Sequence, residues 1–150
     1  MADPASGNRG DPLTRAGDLI APRWIPELFL AFAAVLVPWI GYLSISLPQR
    51  TINGHYNLSW VGFDLFLLFA IARTGYMAYR GRRQAELPAV ATATLLIVDA
   101  WFDVTTAQPG WPFVEALLEA VFVELPTAAL AIYISRRVER LRAARVSDDQ

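Results

Sequence analysis

Four long apolar runs dominate the chain, roughly residues 26–47, 58–79, 88–107 and 112–134, with short polar segments between them. Each holds about 20 residues or a little more. At about 1.5 Å per residue a helix of that length crosses a hydrocarbon core of about 30 Å. None shows the two-residue alternation of a barrel strand. Pro26 stands where a first helical turn tolerates proline, Pro48 closes the first run, and Asn53-Gly54 marks a turn before the second. The connections are short enough to force antiparallel neighbours. The pattern therefore predicts an all-α integral membrane protein, an up-down four-helix bundle of four transmembrane helices.

The polar ends complete the organisation. Residues 1–23, rich in Pro, Gly and charge, read as a flexible cytoplasmic N-terminal tail, with no secretory cleavage pattern. Residues 24–135 form the four-span bundle and residues 136–150 an Arg-rich cytoplasmic C-terminal extension. Arginines set the orientation. Arg9, Arg15 and Arg23 precede the first run, Arg80, Arg82 and Arg83 separate the second from the third, and Arg136, Arg137, Arg140, Arg142 and Arg145 follow the fourth. The other two loops hold only Arg50 and His55. Positive charge stays on the cytoplasmic side, so both termini are expected inside. Trp24, Trp60, Trp101 and Trp111 fall near run ends, where interfacial anchors sit. Ile134, Val138, Leu141 and Arg145 share helical spacing, which suits a stop-transfer anchor continuing the fourth run onto anionic headgroups.

Composition narrows the classes. Hydrophobic residues make up 55% of the 150 and mean hydropathy is +0.34, above the usual range of soluble domains. A net charge of −1 argues against nucleic acid as a partner. The absence of cysteine excludes disulfides, thiolate metal sites and S-acylation. All 13 basic residues are arginine, as codon bias in a GC-rich bacterial genome gives, and the cytoplasmic (inner) membrane is the expected location.

The informative residues are the charges inside the runs: Asp64 and Arg73 in the second, Asp99 and Asp103 in the third, and Glu115, Glu119 and Glu124 in the fourth. A charge at mid-bilayer costs about 2.5–3.5 kcal/mol on insertion scales, so these groups should turn inward and find partners. Counted from the outer ends of their runs, Asp64, Asp103 and Glu119 lie about 6–10 Å deep, Asp99 about 12 Å and Glu124 about 18 Å. Asp99 and Asp103 share a helix face, as do Glu115 and Glu119, whereas Glu124 is rotated away from Glu115. Arg73, in the inner half, is the one candidate charge partner and can serve one acid at most. Crowded carboxylates cannot all ionise, so shared protons or a cation must balance them. Pro38 and Pro126 each free a carbonyl four residues back, on Ala34 and Phe122. Glu124 falls between Phe122 and Pro126, the kind of broken-helix arrangement that coordinates ions in transporters.

Two uses of these acids follow. In the first, Asp64, Asp99, Asp103, Glu119 and Glu124 line an outward-facing cavity that binds or transports a cation or protons, with Asp99 and Glu124 nearest the midplane and His55 and Glu115 as accessories. In the second, the protein is a non-catalytic subunit or assembly factor, or a homo-oligomer, whose acids form an outward stripe against a partner. Hydroxyl groups of Thr92, Thr94, Thr105, Thr106, Ser44 and Ser46 offer a structural alternative, bonding the acids as interhelical glue. A metal-dependent lipid-modifying enzyme fits poorly. The pair in "DAWFD" suits a hard divalent ion, but the Asp-Gly of alcohol phosphatidyltransferases is missing and Ala72-Arg73 stands too far from Asp99. A voltage sensor is excluded by a fourth run with three glutamates and no arginine series. No nucleophile–histidine pair or phosphate-cradling glycine loop occurs. No cofactor is expected other than a bound cation.

Overall fold

The computed structural model describes residues 20–46 and 56–148, and it is all-helical over that range. Helix α1 is Trp24–Ser46 and α2 is Tyr56–Tyr79. A single 3₁₀ turn, Arg83–Ala85, leads into α3, Glu86–Thr106. Helix α4, Trp111–Glu119, passes through a π-helical turn, Ala120–Glu124, into α5, Leu125–Asp148. Four stretches are long and apolar enough to cross a membrane: Trp24–Tyr42, Ser59–Tyr79, Arg83–Thr106 and Trp111–Ala144. His55, Arg50, residues 1–19 and the side chain of Ser46 lie outside the described residues.

Each span packs on its neighbour in sequence. Helix α1 packs on α2, α2 on α3, and α3 on α4, the π turn and α5, whereas among the described residues α1 has no extensive contact with the fourth span. Large apolar side chains cover the outside, among them Val37, Phe66, Phe69, Leu87, Trp101 and Phe122. In water such a surface would demand a partner. In a bilayer the tails are as apolar as leucine, and it needs none.

The buried core occupies one end of the assembly. It joins Ile25, Phe29 and Ala33 of α1, Leu67, Ile71, Met77 and Ala78 of α2, Ala85, Ala89, Ala93 and Leu96 around α3, and Ala128, Ala131, Ile134 and Val138 of α5. Small residues on α3 and α5 let backbones approach closely, the usual basis of helix association in lipid. Gly75 does the same between α1 and α2. A Cβ there would stand 3.0 Å from Phe29 Cβ and 3.1 Å from the Pro26 carbonyl oxygen. Thr74 and Thr92, both fully buried, tie α2 to α3 by a hydroxyl–hydroxyl bond of 3.0 Å. Helix α2 stops at a Schellman motif. Gly81 takes a positive φ of 62°, and the Arg82 and Gly81 amides donate to the carbonyls of Met77 and Ala78.

Packing extends past the expected limits at both ends. Ile20 and Ala21, assigned to the tail by composition, are buried against the core. Beyond residue 135 the arginine-rich segment continues α5 as far as Asp148. Val138 is buried and Leu141 packs beside it, while Arg142 pairs with Glu86 and donates to the Arg83 carbonyl at 2.9 Å. The apolar positions spaced along that segment thus seat it on the turn between α2 and α3. Helix α1 runs unbroken through Pro38.

Candidate functional site

Toward the opposite end the helices part around a cavity of about 480 Å³. Its floor is the top of the core, with Phe32, Leu67, Ile71 and Leu96. Its walls carry Val35, Leu36 and Trp39 from α1, Trp60 from α2, and Val123 and Thr127 from the fourth span. Asp64, Asp99, Asp103, Glu119 and Glu124 also line it, and among the described residues no arginine does. These five acids come from three spans. All lie toward the end of the assembly away from the packed core.

Local structure explains how they meet. Asp99 and Asp103 are one turn apart on α3, so both point at the gap. Asp64 reaches it from the first half of α2 and is buried at 7% exposure. The fourth span needs a further device. In an uninterrupted α-helix, five residues put Glu119 and Glu124 about 140° apart, from 100° per residue. The π turn absorbs one residue, with the Leu125 amide donating to the Ala120 carbonyl five residues back. The buried positions Ala116, Ala120, Glu124, Thr127, Ala128 and Ala131 keep the three- and four-residue spacing of one helical face; what the π turn changes is the angle to Glu119, which is exposed and borders the same cavity as Glu124. Pro126, which lacks an amide donor, follows directly. The expected disruption before Pro126 is therefore a widened turn that redirects a carboxylate. Spacing alone did not disclose it; proline two residues after a buried acid was the available signal.

Carboxylate oxygens of Asp99, Asp103 and Glu124, one from each, lie within 4.8 Å of one another. Glu124 is 7% exposed, and its Oε2 is buried without a hydrogen-bond partner among the described residues. Of the hydroxyls available as glue, those among the described residues are engaged elsewhere. Thr92 pairs with Thr74, Thr94 donates to the Val90 carbonyl, Thr105 to Trp101, Thr106 to Phe102 and Ser44 to Gly41. Thr127, on the cavity wall, donates to the Val123 carbonyl at 2.6 Å.

The remaining candidates lie apart. Glu115 is exposed, accepts a 2.8 Å bond from the Trp111 indole N–H and does not border the cavity. Arg73 is exposed and lines a second hollow with Glu86, Pro88 and Arg142, near the packed end. Its nine-residue separation from Asp64 corresponds to about 13 Å along α2. Compared with known proteins, the chain matches no family model, no curated protein and no solved structure.

Proposed function

We propose that this protein sits in the cytoplasmic membrane of a bacterium with both termini inside, and takes up a cation or protons from the outer side into its carboxylate-lined cavity. The observation that supports this best is the convergence of Asp64, Asp99, Asp103, Glu119 and Glu124 on one cavity bordered, among the described residues, by no basic side chain. Intramembrane acids gathered on a common space, rather than spread over a lipid-facing stripe, favour an ion or proton site over a surface for a partner's arginines. Occupied hydroxyls weigh against the glue alternative in the same way. Asp99 and Glu124, the deepest of the five, are the exchange residues.

The test is flux into proteoliposomes under an imposed proton or cation gradient, for the wild type and Asp99→Asn. Wild-type flux well above protein-free vesicles, reduced at least tenfold by the substitution, is the expected outcome. Equal flux in both proteins, or none in either, would remove the proposal.

A further inference from the structure

Resting on that proposal and sharpening it, we infer that the cavity holds a hard divalent cation, bound by one carboxylate oxygen each from Asp99, Asp103 and Glu124. The geometry carries the inference first. Three atoms no more than 4.8 Å apart share a centre no more than about 2.8 Å from each, close to the 2.3–2.6 Å at which carboxylates hold Ca²⁺. Carboxylates grouped this closely can share one ion. Ca²⁺ accepts carboxylates and water in a flexible geometry of six to eight oxygens, whereas Mg²⁺ demands a near-ideal octahedron and gives up its water reluctantly, so a set of three helix-borne carboxylates favours Ca²⁺. Mn²⁺ takes the same carboxylate and water donors.

An independent observation points the same way. Glu124 Oε2 is a buried acceptor with nothing among the described residues to accept from, and such an atom is costly unless a ligand satisfies it. That carboxylate lines the same cavity as Asp99 and Asp103, which stand one turn apart on α3. All three donors are oxygens, with no histidine or cysteine among them, which selects a hard ion over zinc or copper. Asp64 and Glu119 border the same space and add negative charge around the ion. Water fills the remaining coordination positions in a cavity of this volume.

The experiment uses detergent-purified full-length protein, Mn²⁺ as probe and the electron paramagnetic resonance signal of free Mn²⁺ as readout. One Mn²⁺ per chain is expected, displaced by Ca²⁺ at concentrations at least tenfold lower than by Mg²⁺. Asp99→Asn and Glu124→Gln, each nearly isosteric, should weaken Mn²⁺ binding at least tenfold. Glu115→Gln, which changes a carboxylate outside the cavity, should leave it unchanged. Size-exclusion profiles matching the wild type identify variants that are folded. Mn²⁺ binding unaffected by both cavity substitutions in folded protein overturns the assignment. So does a lack of Mn²⁺ binding by the wild type, and flux then separates the two ideas: proton flux that still depends on Asp99 leaves the proposed function standing, whereas no flux removes both. Quenching of tryptophan fluorescence by tetraphenylphosphonium without Mn²⁺ binding would also overturn it, assigning the apolar walls with Trp39 and Trp60 to an organic cation.

Discussion

The two ends of this helical assembly treat the same membrane in opposite ways. At one end, Phe29, Ala33, Ile71, Ala78, Ala89, Ala131 and Ile134 pack into one core with almost no exposed surface, and the polar groups buried there, Thr74 and Thr92, satisfy each other. At the other, the same helices spread around about 480 Å³ bordered by five acids, and a buried carboxylate oxygen lacks a partner among the described residues. Packing in lipid rests on close contact rather than on exclusion of water, so the closed end supplies most of the cohesion. The open end gives up some of it to keep charge inside the bilayer. The difference teaches where stability and chemistry reside: substitutions at the two ends should change stability with opposite signs.

Phe29→Ala tests the closed end and should have the largest effect. Phe29 is fully buried between α1 and α2. In water, truncating a core phenylalanine costs about 3–5 kcal/mol. Lipid removes much of the transfer contribution, and the lost packing still leaves a destabilisation of about 2 kcal/mol. Unfolding titrations in mixed micelles should show it, while Phe66→Ala, on an outward side chain 71% exposed, should be close to neutral. Equal effects at the two positions would mean that the closed end is not the stabilising one.

Asp99→Asn tests the open end. Without divalent ions, neutralising one of five clustered acids should raise stability by on the order of 1 kcal/mol, part of the insertion cost of an intramembrane charge. Saturating Ca²⁺ should then stabilise the wild type more than the variant, since only a ligand bound to the folded state shifts its equilibrium. Thermal unfolding with chelator and with Ca²⁺ measures both. A variant less stable than the wild type in chelator would show that Asp99 is a structural contact, and the contrast between the two ends would fail.

Much of this contrast is legible in the amino-acid sequence. The four spans follow from run length and apolarity, and each of the five acids named from its depth borders the cavity. Arg73 shows where such reasoning stops. Residue type makes it a partner for the acids, but nine residues of helix carry it to the hollow beside Glu86 and Arg142. Charge pairing depends on distance, which a span boundary gives only coarsely. The ends of the packed region are obscured for a different reason. Ile20 and Ala21 sit among polar residues, and Val138 among arginines, so mean hydropathy hides single side chains that complete the core. Hydroxyls mislead similarly: a threonine in a helix can bond a carbonyl in the preceding turn, and Thr94, Thr105 and Thr106 do.

The π turn joins the two ends, and its removal should have the smallest effect of all. A π turn is an α-helix carrying one extra residue. Deleting Phe122, whose side chain is 71% exposed, should convert Ala120–Glu124 to ordinary helix without rotating α4 against α5. Glu119 and the carboxylate of Glu124 would then stand four positions apart, still on one face, so stability should change little and Mn²⁺ binding should persist. Deleting Ile132 removes one residue where there is none to spare. Everything downstream, including Ile134 and Val138, rotates by about 100° away from the core, and the protein should lose its folded elution profile. If deletion of Phe122 is as damaging as deletion of Ile132, the turn is not a surplus residue, and Glu124 owes its place in the cavity to Pro126 or to the packing of α5 against α3.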